Sequence, residues 1–148
     1  MFDWLFSQPL AVGGPAPDFS LPDQDGNTVS LAALRGSNVV LVFYPSDETS
    51  VCTAQLCEFR DRWSEVRAKN TVVFGVNPAG AAKHSQFRDH RKFPFPLLVD
   101  RRQAVARLYR ADGLIVVRRT VYLIGPDGVI RYARRGKPDP ADVLKAAV

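Results

Sequence analysis

With 148 residues, 46% apolar and 24% charged, the chain has the size and composition of one globular domain, 1–148, which excludes fibrous and disordered classes. No run approaches the roughly 18 apolar residues of a membrane span, and Met1 to Leu10 lacks the basic start of a secretory signal, so a cytoplasmic protein with no membrane contact is expected. The net charge of +5 is uneven: residues 1–78 carry 5 Lys and Arg against 9 Asp and Glu, and residues 79–148 carry 15 against 6. These basic residues are scattered singly and in pairs, which reads as a solvated face and not a nucleic-acid site.

In chain order, Phe2, Trp4, Leu5 and Phe6 form an aromatic cluster in an extension, 1–12, that is too short to be a domain and precedes Gly13-Gly14-Pro15. Phe19-Ser-Leu21 and Thr28-Val-Ser-Leu31 flank the turn Asp25-Gly26-Asn27, which predicts an N-terminal β-hairpin. Asn38 to Tyr44 is a continuous β-branched and aromatic run, the pattern of a central strand covered on both faces, and it stops at Pro45. From about Cys52 to Lys69 the apolar positions Leu56, Phe59, Trp63 and Val66 recur at helical steps. Strands follow at Thr71 to Val76 and Pro96 to Val99, with a helix between them from Ala79 to about His90. A short helix spans Ala104 to Tyr109. Strands at Arg119 to Ile124 and Val129 to Tyr132 flank Pro126-Asp127-Gly128, and Asp139-Pro140 opens a last helix. This order predicts an α/β architecture, a central mixed β-sheet with helices on both faces. In such sheets the chemistry collects at the carboxyl ends of central strands.

Two cysteines exclude a disulfide-stapled mini-domain, and a close cysteine pair in a reducing compartment reports catalysis or metal binding more often than structure. Cys52 falls at the start of a helix, straight after a strand and a turn. Free helix N–H groups there favour an anion, and the thiolate is the reactive form of cysteine.

The segment Pro45-Ser46-Asp47-Glu48-Thr49-Ser50-Val51-Cys52 resembles the peroxiredoxin signature, in which a proline, a Thr or Ser and a cysteine stand at these spacings. Cys57, five residues on, resembles the resolving cysteine of the Q-type, or bacterioferritin-comigratory, subfamily. The likeness extends through Gly14-Pro-Ala-Pro-Asp-Phe-Ser-Leu21, Phe59-Arg-Asp61, Pro96-Leu-Leu-Val-Asp100 and Arg119-Thr-Val-Tyr-Leu-Ile124. The chain departs from the subfamily at Ser50-Val51, where Pro-Gly is common, at Ser46, where a basic residue is common, and at Gly125, where an acid is common.

The resemblance implies a thioredoxin-like fold and a thiol-dependent peroxidase with no bound cofactor and no metal. It would act on hydroperoxides, with thioredoxin or a similar dithiol as reductant, as a monomer or weak dimer. Cys52 would be oxidised to a sulfenic acid and resolved by Cys57 as an intramolecular disulfide. Thr49 would align the peroxide. Pro45 would wall the pocket without adding a competing N–H. Arg119 would stabilise charge on the sulfur and on the departing oxygen. Alternation along a strand sends Arg118 to the opposite face. In a regular helix, residues five apart lie about 140° and roughly 8.6 Å apart at Cα, beyond the 7 Å or so that a disulfide spans. The implied disulfide therefore requires the helix to unwind.

A thioredoxin-like thiol-disulfide oxidoreductase is the nearest rival. It normally uses Cys-x-x-Cys, and the resemblance implies a proline before the facing strand, where this chain has Arg119-Thr120. A zinc module of Cys52, Cys57, His84 and His90 has an unsuitable spacing and leaves Pro45, Thr49 and Arg119 without a purpose. Both histidines, on a polar stretch, are expected at the surface.

Overall fold

A computed structural model describes residues 7–148; the aromatic cluster Phe2, Trp4, Leu5 and Phe6 lies outside the described residues. The expected hairpin comprises β1 (Ser20–Pro22) and β2 (Thr28–Ser30), paired antiparallel. Its turn is built by the Asp23 carboxylate, which accepts from the backbone N–H of Asp25 (2.8 Å) and of Asn27 (3.0 Å), while Gly26 adopts φ +83°.

The remaining elements are β3 (Asn38–Phe43), α1 (Ser50–Asp61), α2 (Trp63–Ala68), β4 (Thr71–Asn77), α3 (Ala81–Arg91), β5 (Leu97–Val99), α4 (Ala104–Leu108), β6 (Thr120–Ile124), β7 (Ile130–Arg135) and α5 (Pro140–Leu144). Five strands form a mixed sheet in the order β5-β4-β3-β6-β7, with β3, β4 and β5 parallel and β6 and β7 antiparallel to their neighbours. The hairpin shields the β5 edge: Asp23 bridges to Leu98, and the Gln24 side chain accepts from the Leu97 N–H at 3.0 Å.

All six residues of β3 are buried, as its unbroken apolar run requires. Successive side chains alternate between two cores. Val39, Leu41 and Phe43 join the hairpin and α4, whereas Val40, Val42 and Tyr44 join α1, α2, α3 and α5 through Leu56, Phe59, Val66, Phe87 and Val143. Each large apolar side chain so buried contributes about 1.5–3 kcal/mol relative to exposure. Helices therefore lie on both faces; among the described residues, α4 and the short 3₁₀ helix Ala32–Leu34 pack on the hairpin side.

The helix expected from Cys52 to Lys69 is two helices. Arg62 stands between them at φ −105°, ψ 24°, and neither Gly nor Pro marks the break. Beyond it, Trp63 packs on Phe95 with ring centroids 5.8 Å apart and Val66 is fully buried, so tertiary packing ends α1 where local propensity does not. Gly75 on β4 has a packing reason. A Cβ there would stand 2.7 Å from Leu97 Cδ2 and 3.0 Å from the Tyr44 ring, so the aromatic side chain at the end of β3 needs a bare backbone beneath it.

Candidate active site

Phe43 pairs with Thr120 across β3 and β6, which sets Arg119 beside the carboxyl end of β3, where the chain turns towards α1. The connecting loop, 45–49, contains Glu48 in the left-handed region at φ 64°. Thr49 is the N-cap residue of α1, but its hydroxyl makes no capping bond; it donates instead to the Ser46 carbonyl at 3.2 Å. Its own carbonyl accepts from the Thr53 N–H at 2.8 Å, the first bond of the helix. Cys52 lies in the opening turn, 1% exposed, on the face that carries Leu56 and Phe59 into the core.

Arg119 reaches this thiol from the sheet. Its Nη2 lies 3.3 Å from Cys52 Sγ, and its Nη1 donates to Gln55 Oε1 at 2.7 Å. Gln55 is buried and its Nε2 donates to the Gly136 carbonyl at 3.3 Å, so the guanidinium is oriented by a side chain one helical turn beyond the cysteine. An N–H aimed at sulfur, together with the free N–H groups of the first turn, stabilises negative charge there. Arg118 turns to the other face and donates to the carbonyls of Asp112 and Arg110 and to Ser7 Oγ.

Of the residues singled out in the sequence, Cys52 and Arg119 meet directly. Thr49 stands at the mouth of the same turn, exposed, and Pro45 is half-buried at the start of the loop. Cys57 lies on α1, half-buried against the same core, and both cysteines are free thiols. Gln55 was not anticipated, although its i+3 position relative to Cys52 puts it on the same helix face.

His84 corrects a sequence expectation. It is a fully buried residue, not a surface one: Nδ1 lies 2.6 Å from Asp47 Oδ2 and Nε2 lies 2.9 Å from the Leu98 carbonyl. The polar stretch on which it lies concealed this, because the apolar face of α3 is narrow and its partner, Asp47, is 37 residues away. Asp47, 3% exposed, also accepts from the Tyr44 hydroxyl (2.6 Å) and from Asn77 Nδ2 (2.9 Å). Burial pushes its carboxyl up, but the hydrogen bonds from His84 and Tyr44, the charge of His84 and the bond from Asn77 together outweigh burial and leave it below the usual aspartate value. Burial, followed by the charge of Asp47, drives the Tyr44 phenol well above its usual value. His90 is exposed as expected and meets Glu48 at 3.1 Å. Among the described residues no three His, Cys, Asp or Glu side chains gather where one metal ion could bind them, and no helix is long and apolar enough to cross a membrane.

A thiol in the first turn of a helix, faced by a guanidinium from the neighbouring edge of a thioredoxin-type sheet, is the setting of a candidate reactive cysteine. The AhpC/TSA family matches residues 12–133, and the chain belongs to that family, among its peroxiredoxins of the Q and Bcp kind. It is 39% identical over 135 residues to peroxiredoxin Q, chloroplastic, of Oryza sativa subsp. japonica, a match covering 88% of this chain and 62% of the rice protein. The chain thus spans less than two thirds of the rice protein's length. It is 36% identical over 132 residues to the putative peroxiredoxin bcp of Coxiella burnetii, covering 82% of this chain and 85% of that one. The crystal structure of peroxidoxin BcpB from Mycobacterium tuberculosis superposes with a TM-score of 0.87 at 29% identity, over 93% of this chain and 96% of that one.

Proposed function

We propose that the chain is a thiol-dependent peroxidase for hydrogen peroxide and organic hydroperoxides. The observation that carries the reading is the approach of Arg119 Nη2 to Cys52 Sγ at 3.3 Å, in the opening turn of α1. Attack of the Cys52 thiolate on the nearer peroxide oxygen forms the S–O bond and breaks the O–O bond. The sulfur is oxidised to a sulfenic acid, the peroxide is reduced, and the departing alkoxide or hydroxide takes up a proton to leave as alcohol or water. Arg119 stabilises charge on the thiolate and on the departing oxygen. Thr49 offers its hydroxyl to the peroxide, exchanging its bond to the Ser46 carbonyl, and Pro45 presents a wall without an N–H. The Cys57 thiol then attacks the sulfenic sulfur, forming a disulfide and releasing water. An external dithiol, thioredoxin or a relative of it, reduces that disulfide by two exchanges.

Such a pair needs continual reduction, which supports a cytoplasmic enzyme with access to a dithiol pool. In this reading the enzyme acts as a monomer or weak dimer, and the thiols and the guanidinium that the cycle uses all come from one chain. The test is peroxide consumption coupled to thioredoxin and its reductase. Wild type is expected to turn over and Cys52→Ser to stop while remaining folded. A Cys52→Ser protein that kept more than a few per cent of the rate would overturn the assignment.

A further inference from the structure

Asp47 lies five residues before Cys52 and touches nothing that reacts, yet the carboxyl ends of three parallel strands converge on it. Tyr44 follows β3, Asn77 closes β4, and His84 is fixed to the Leu98 carbonyl of β5. Both ring nitrogens of His84 are engaged, Nδ1 with the Asp47 carboxyl and Nε2 with a backbone carbonyl, so the ring is fixed at both ends. Asp47 and His84 are therefore a directly bonded pair, each with a fully buried side chain. Such a buried polar cluster favours one placement of the loop, because alternative placements leave buried donors and acceptors unpaired. What it defines is the loop from which the site projects: Asp47 is followed by Glu48 in a left-handed conformation, then by Thr49 and the helix that carries Cys52.

We propose that Asp47, held by His84, Asn77 and Tyr44, is the positioning residue of the peroxide-reacting loop: it holds Thr49 and Cys52 in the closed geometry and marks the point where unwinding of α1 stops. The inference rests on the peroxidase reading. Closed geometry is needed for attack on peroxide, whereas formation of the disulfide needs α1 open. Loosening the anchor therefore slows the first step and not the second.

Substitutions separate this role from general support of the fold. Asp47→Ala leaves the buried Tyr44 hydroxyl, Asn77 amide and His84 ring without their shared partner and frees the loop. In Asp47→Asn every bond has a counterpart: the amide oxygen accepts from Tyr44 and Asn77, and the amide N–H donates to Nδ1 of a ring that keeps its proton on Nε2. Rapid quenching after mixing with hydrogen peroxide, then alkylation and mass spectrometry, resolves thiol, sulfenic acid and disulfide. Asp47→Ala is expected to slow oxidation of Cys52 by about 10- to 100-fold, the scale of a small misplacement of reacting groups, with disulfide closure as fast as in wild type or faster. Asp47→Asn is expected to recover oxidation to within a few-fold. If Asp47→Ala does not fold, Tyr44→Phe, which removes one donor and no bulk, is expected to slow oxidation alone and by less. The proposal is overturned if folded Asp47→Ala, or Tyr44→Phe in its place, oxidises at the wild-type rate, if oxidation and closure slow together, or if Asp47→Asn is as slow as Asp47→Ala. Failure of wild-type Cys52 to oxidise at all would instead remove the peroxidase reading.

Discussion

Upstream of Thr49, the chain from Tyr44 to Asp47 ends in a carboxylate that accepts from three buried side chains. Downstream, the opening turn of α1 has no side-chain cap, exposes Ser50 and Val51, and buries a Thr53 hydroxyl with no hydrogen-bond partner among the described residues. An unsatisfied buried hydroxyl costs about 1–3 kcal/mol, and β-branched and hydroxyl residues reinforce a helix start poorly. The two segments adjoin in sequence, yet one is over-determined and the other only just held. The lesson is a division of labour. In the proposed cycle, attack on peroxide would draw on the fixed half and resolution by Cys57 on the half that yields.

The largest expected effect lies where the fixed half touches the sulfur. Arg119→Ala should slow oxidation of Cys52 by about two to three orders of magnitude, the scale of losing one preorganised charge stabiliser. Arg118→Ala, whose guanidinium serves the opposite face, should change it little. Stopped-flow rates in the reverse order would break the assignment of Arg119. A smaller effect tests the yielding half. In the disulfide form, amide exchange should quicken between roughly Thr49 and Glu58, while Asn77 and Leu98 stay protected. Cys57→Ser should consume one equivalent of peroxide, fail to recycle through thioredoxin, and over-oxidise more readily. Equal protection of residues 49–58 in both redox states would remove the unwinding step.

The smallest effect sharpens the fixed half. Because the folded Asp47 value lies below the ordinary one, the stability it contributes is fully present above the unfolded value, about 3.9, and is lost as pH falls through the folded value. The Asp47 carboxyl carbon resonance should therefore still report a carboxylate at pH 4. A half-protonated signal there would contradict the anchoring bonds.

Much of this arrangement is legible in the sequence, and what is not has a common cause. The Asn38–Phe43 run, the turn at Gly26 and the Asp139-Pro140 start of α5 are local signals, and each yields its element close to the expected place. Cys52 is marked by a helix start, and Arg119 by resemblance together with strand alternation. Three features escaped: the break at Arg62, the role of Gln55, and the burial of His84. Each depends on a partner distant in the chain, Trp63 with Phe95, Gln55 with Gly136 and Arg119, and His84 with Asp47. Periodicity reports which face of an element is apolar. It is blind to a polar residue buried because a single complementary group waits there.

The break at Arg62 also bears on time. Because α1 ends there, the stretch that would re-form after each reduction in the proposed cycle is at most 12 residues long. Helix relaxation takes about 0.1–1 μs for a peptide of about 20 residues, with elongation on the order of a nanosecond per residue. Enzyme turnovers commonly fall between about 1 and 1,000 per second. Resetting the helix would thus be at least about a thousandfold faster than such a turnover, so re-formation of α1 would not set the pace of the proposed cycle.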